Sequence, residues 1–204
     1  MSNSIYSEFE QLIADERLEE PLQKFLGVHK ELLISTFNIG AHLPTVFPKF
    51  ELGDELIPDF VMVGHRSSWS WDVDLIEIEP AILNEPLFNR KGQTTSRLRI
   101  AEGQIEQWQM WMEKHRYHFA TRMLEKLKEI GAWDEKPEYY QLSDGAHQDM
   151  IVWYRIIIGR RRDFQGEADE YRRNKYRSTN NSVEIVTWDR LLDKAKQLMS
   201  RPYI

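Results

Sequence analysis

Apolar positions recur at helical spacing at both ends of the chain and change period in the middle. Phe9, Leu12 and Ile13 form one stripe between Tyr6 and about Leu18, and Leu22, Phe25, Leu26, Leu32 and Leu33 continue it at near-turn intervals. Pro21 punctuates this stretch, with Glu19 and Glu20 where a helix dipole favours acids. Residues 1–34 therefore read as a helical part, bent or broken at Pro21. Pro44, Pro48 and Pro58 then bracket short extended pieces. Phe60–Val63 and Val73–Glu79 are rich in strand formers, and the connection from Gly64 to Ser70 makes them a hairpin. From an N-cap at Thr94 or Thr95, Leu98, Ala101, Ile105, Trp108, Met112, Phe119, Met123, Leu127 and Ile130 make one stripe that Gly131 ends. Unbroken, such a helix would run about 50 Å. Residues 131–148 read as a loop, Val152–Ile158 and Val183–Thr187 as strands with a helix between them, and Asp189 as the cap of a last helix. The pattern predicts an α/β fold, a mixed β-sheet flanked by helices, in one domain whose residues 35–204 form the sheet-helix core.

Composition narrows the function classes. With 41% hydrophobic and 12% aromatic residues among 204, the chain is neither disordered nor collagen-like. It has no Cys, which excludes disulfides, thiolate metal sites and Cys nucleophiles. No apolar run approaches the roughly 20 residues of a membrane span, and the opening MSNSIYSEFE has no basic region followed by an apolar one. A soluble, cytoplasmic protein without a membrane partner is expected. The net charge of −6 argues against coating nucleic acid by bulk charge, but its distribution is uneven. Eight acids face one base between Glu51 and Glu79, and eight bases face four acids between Arg155 and Arg177. An acidic centre beside a basic flank suits a metal next to a polyanion, or two solvated faces of opposite sign.

Three acids carry the sharpest chemistry. Pro58-Asp59 lies on one strand and Glu77-Ile78-Glu79 on the next, where alternation sends Glu77 and Glu79 to one face. Carboxylates gathered this way repel unless a cation neutralises them, and oxygen-only donors suit Mg²⁺ or Mn²⁺. Asp59, Glu77 and the Ile78 carbonyl could hold that ion, with Glu79 taking a proton from the attacking water or binding a second ion; an acidic solvent face is the alternative. Arg160, Arg161 and Arg162, just past a buried strand, could clamp phosphates or form a solvated turn. His115 and His118 read as packing or surface residues, and the serines at 67, 68 and 70 lack the glycines of a nucleophile elbow. Trp69 and Trp71 could stack on bases, with core packing preferred for one of them. Carboxylates two apart on one strand do not face each other across a sugar, which disfavours a glycosidase.

In order along the chain stand E-P-L-Q-K-F-L at 20–26, P-D-F at 58–60, L-I-E-I-E-P at 75–80, G-Q-I-E-Q-W at 103–108, R-I-I-I-G-R-R at 155–161 and V-E-I-V-T-W-D-R-L-L at 183–192. This series resembles the C-terminal nuclease domain of Shedu-type anti-phage defence proteins, within the PD-(D/E)XK superfamily, across roughly Leu22 to Leu198. The resemblance implies a restriction-endonuclease-like core and a Mg²⁺- or Mn²⁺-dependent endonuclease acting on DNA. It matches Asp59 and Glu77 to the metal-binding carboxylates and Gln104 to the helix glutamine. Glu20 is similar to an acid that some members add. Glu79 stands where the motif's name records lysine, so a catalytically inactive module that binds nucleic acid or a protein is the alternative. Self-assembly and a separate sensing partner are further expectations from the resemblance.

Overall fold

A computed structural model describes residues 2–15, 18–37, 42–53, 55–65, 70–89, 93–132, 150–164 and 183–200. Three helices open the chain: α1 (Ser2–Asp15), α2 (Glu19–Val28) and α3 (Lys30–Phe37). The break expected at Pro21 lies ahead of it. Leu18 is extended (φ −106°, ψ 152°), and Pro21 sits in the first turn of α2, where a missing N–H leaves no helical bond unmade.

Strands β1 (His42–Pro48), β2 (Phe60–His65) and β3 (Trp71–Ile78) form an antiparallel meander. β4 (Met150–Ile157) and β5 (Val183–Val186) join parallel, giving a five-stranded mixed sheet in sequence order. β1 carries Pro44 and Pro48 and is an edge strand, where a residue without an N–H is tolerated. The expected hairpin is therefore present as β2–β3.

The long helix α4 spans Ser96–Glu129. Thr95 is extended at its N-cap, but its hydroxyl donates to the Leu87 carbonyl, not to the helix. Gly131 follows the helix with φ +67°, a conformation that favours glycine. The helix is not straight: His115 leaves helical geometry (φ −126°, ψ 20°). The last helix, α5 (Trp188–Ser200), begins before Asp189, which lies in its first turn instead of capping it. A short 3₁₀ turn (Arg161–Asp163) follows β4. The helix expected between β4 and β5 and most of the 131–148 loop fall outside the described residues, as do Ser67, Ser68 and Trp69.

Alternation along the strands divides the apolar residues between two layers. Val61, Val63, Val73, Leu75, Val152 and Ile156 pack under the α4 stripe of Leu98, Ala101, Ile105 and Trp108. Phe60, Met62, Ile76, Ile78 and Ile157 face the other way, against Phe9, Leu22, Leu26, Leu33, Phe37 and Leu191 from α1, α2, α3 and α5. Among the described residues no helix is long and apolar enough to cross a membrane.

Candidate functional site

The register of the meander brings three separated residues into one row. Phe60 pairs with Ile76, so one step outward Asp59 falls opposite Glu77. Pro48 pairs with Phe60, so Lys49 falls opposite Asp59, and its backbone N–H donates to the Asp59 carbonyl at 2.9 Å. Asp59 and Glu77 belong to the alternation that places Val61 and Leu75 under α4. Glu79 follows on the same parity beyond the end of β3.

All three acids are buried, and Asp59 and Glu79 have side-chain partners. Asp59 Oδ2 accepts the Ile78 backbone N–H at 2.8 Å, which draws the P-D corner onto the E-I-E segment. Its Oδ1 accepts from Gln23 Nε2 and Lys49 Nζ, both at 2.5 Å. Burial, then the charges of Asp59 and Glu79, push Glu77 up to about 9, against partial relief from Lys49. Burial also pushes Glu79 up to about 7, although the Arg97 guanidinium beside it opposes the rise. Arg97 Nε stands against Glu79 Oε2 as an ion pair without hydrogen-bond alignment, and the same guanidinium bonds Glu19. Gln104, seven residues on from Arg97 along α4, has a buried Oε1 with no hydrogen-bond partner among the described residues.

The donor chemistry fits a hard divalent cation: every candidate ligand is oxygen, and burial together with the neighbouring carboxylates raises Glu77 and Glu79, an effect that a bound cation would offset. The side chains are not gathered into an ion cage, since among the described residues no group of three or more acidic or histidine side chains is close enough to hold a metal. Asp59 Oδ1 would have to exchange Lys49 or Gln23 for the ion.

A family model described as Shedu protein SduA, C-terminal, matches residues 16–192. The chain belongs to this family. Comparison with curated proteins finds no match. The Shedu family is associated with antiviral defence.

In this Shedu domain the structure redistributes several expected site residues. Glu20 points away: it is 72% exposed and pairs with Lys24 one turn on. The acid of α2 that reaches the site is Glu19, through Arg97, with Gln23 one turn later on the same helix face. One residue step rotates a helix by about 100°, so the choice between adjacent glutamates depends on how α2 docks.

The basic flank also divides. Arg160 makes a forked contact to Asp189 (Nη2 2.9 Å, Nε 3.1 Å) and donates to the Ile13 carbonyl at 3.0 Å, tying α1 to the start of α5. Three of its five guanidinium N–H groups are engaged within the protein, which favours a structural tie over the expected phosphate clamp at Arg160. Arg161 is exposed and pairs with Asp193 at 2.6 Å, and Arg162 is exposed. Arg155 is buried on the opposite side of the sheet from Glu77, bonded to Asp74 at 2.7 Å and to Glu184. Its guanidinium lies over Phe37 and Trp153. Asp74 therefore does not belong to the acidic centre that the charge count suggested. His115 lies tilted against Trp111 (4.9 Å between ring centres) at the α4 kink, and His118 lies nearby, both exposed.

Sequence reasoning missed Lys49, Gln23, Glu19 and Arg97. Arg97 carried a usable signal, since it lies one helical stripe from Gln104. Lys49 carried none, because its partner is set by the pairing of β1 with β2.

Proposed function

We propose that this domain is an endonuclease hydrolysing DNA phosphodiester bonds in antiviral defence, with Mg²⁺ or Mn²⁺ as cofactor and a restriction-endonuclease-like core. The observation that carries the reading is the row in which Asp59 lies opposite Glu77, buried, with Glu79 beyond it on the face covered by α4. Asp59, Glu77 and the Ile78 carbonyl would hold the ion, with Glu19 in place of Glu20 as the acid supplied by α2. When bound, the ion supplies positive charge to the phosphoryl oxygens and acidity to a water.

The chain's own residues then divide the remaining work. Glu79, pushed up to about 7, lies near the ambient pH, where a carboxylate takes up a proton most usefully; Arg97 fixes its orientation. Gln104 Oε1, which has no hydrogen-bond partner among the described residues, would accept a water proton. Arg161 and Arg162, both exposed, are the members of the arginine run left to meet DNA phosphates. A sensing partner and self-assembly remain part of this proposal, as does a cytoplasmic location.

One observation favours a second reading. Glu79 is ion-paired to Arg97 at the position where the resemblance would place a free lysine, which suits a non-catalytic module that binds nucleic acid or a partner protein. Nicking of supercoiled plasmid in Mg²⁺ or Mn²⁺, with Ca²⁺ as control, separates the two. Metal-dependent cleavage lost in Glu77→Gln supports the nuclease. DNA binding without cleavage under any of these ions supports the module.

A further inference from the structure

We propose that Lys49 is a catalytic residue of this site, donating from its ammonium to a non-bridging oxygen of the scissile phosphate; the proposal rests on the nuclease reading above. Position 79 cannot do this, since it carries a glutamate. The sheet supplies the cation from another strand.

Four observations converge on Lys49. It lies in the same transverse row as Asp59 and Glu77, by the registers of β1 on β2 and β2 on β3. Its Nζ reaches Asp59 Oδ1 at 2.5 Å, so the ammonium is already at the acids. Its side chain is 53% exposed while that of Asp59 is 10% exposed, which places the charge at the mouth of the site, where a polyanion arrives. Its backbone is left-handed (φ 51°), the one non-glycine residue with positive φ among those described. A β-carbon is disfavoured in that conformation, and glycine or asparagine would serve a plain turn better. A strained lysine aimed at an acidic row is the pattern of a functional constraint.

The neighbouring cation does not compete for the role, because Arg97 is engaged by both Glu19 and Glu79. An ammonium has three donors. Lys49 can therefore keep one on Asp59 and turn the others to phosphate, or leave Asp59 altogether, using its half-exposed side chain and no backbone movement. It forms no covalent bond and transfers no proton. Its contribution is a fixed positive charge where negative charge grows on the phosphoryl oxygens.

The test compares Lys49→Gly, Lys49→Arg and Glu77→Gln. Three quantities are read: single-turnover plasmid cleavage in Mn²⁺, the salt slope of binding to a short duplex in Ca²⁺, and Tm. Lys49→Gly removes the ammonium and relieves the backbone, so Tm should stay within about 3 °C of wild type. Cleavage should fall at least about a hundredfold, and the salt slope should become shallower by about one ion. Lys49→Arg should recover part of the rate. If the glycine variant melts early, Lys49→Asn, which also tolerates this backbone, replaces it. Wild-type cleavage in the Lys49 variant alongside loss in Glu77→Gln would overturn the proposal and leave the nuclease reading intact. Lost cleavage with an unchanged salt slope would also overturn it, by showing that Lys49 acts only through Asp59. A wild-type protein that cleaves nothing would overturn both.

Discussion

The carboxylate of Asp59 accepts the backbone N–H of Ile78 at 2.8 Å, so the residue just before β2 is locked to the segment that closes β3. This bond joins positions 19 apart in sequence and satisfies a buried N–H that no strand partner reaches. Asp59→Ala should destabilise the fold by about 1–3 kcal/mol in urea unfolding, because it strands that N–H. Asp59→Asn, which can still accept there, should cost less. Equal losses in the two variants would show that the bond contributes little.

The raised carboxyls give stability a definite pH dependence. Glu77 and Glu79 both have folded-state values above their ordinary 4.5, at about 9 and about 7. The folded protein therefore binds more protons than the unfolded chain over that window, and stability falls as pH rises. The contribution is full below pH 4.5, declines from both groups up to about 7, and from Glu77 alone up to about 9. Each group contributes a slope of up to about 1.4 kcal/mol per pH unit between its two values. Glu77→Gln should flatten the profile and make the protein more stable than wild type at pH 8, measured without divalent ions. A wild-type profile already flat between pH 5 and 9 would remove the basis for this expectation.

Divalent cations should act in the opposite sense to the repulsion. Mg²⁺ or Mn²⁺ should raise Tm in a concentration-dependent way by linkage, with a larger shift at pH 8 than at pH 6, where protons compete for the same oxygens. The shift should shrink in Glu77→Gln. A Tm indifferent to both ions at millimolar concentration would count against the cofactor.

Glu79→Gln retains shape and removes the proton acceptor. Metal-dependent cleavage should drop at least about a hundredfold, the low end for a general base, with the fold intact by circular dichroism. An unchanged rate would move the base elsewhere in the site.

Arg160 should behave as a structural tie. Arg160→Ala should lower stability by about 1–3 kcal/mol, since it leaves the half-buried Asp189 without its forked partner, while the salt slope of DNA binding stays unchanged. Changing Arg161 and Arg162 together should do the reverse, leaving stability nearly constant and making the slope shallower by at most about two ions.

Local periodicity determined much of this protein by itself. Two-residue alternation along V-D-L-I-E-I-E was enough to place Glu77 and Glu79 on one face, and the apolar stripe from Leu98 to Leu127 was enough for a long helix that carries Gln104. The hairpin between β2 and β3 was legible for the same reason, because strand period and loop position are properties of adjacent residues. The tertiary structure decided whatever depends on registration between distant segments. The pairing of β1 with β2 placed Lys49 beside Asp59. The docking angle of α2 chose Glu19 and Gln23 over Glu20. The opposite side of the sheet took Asp74 and Arg155 out of the acidic and basic tracts to which the sequence assigned them. Charge counted along a chain has no direction, whereas a sheet has two sides, and only packing assigns each charge to one of them.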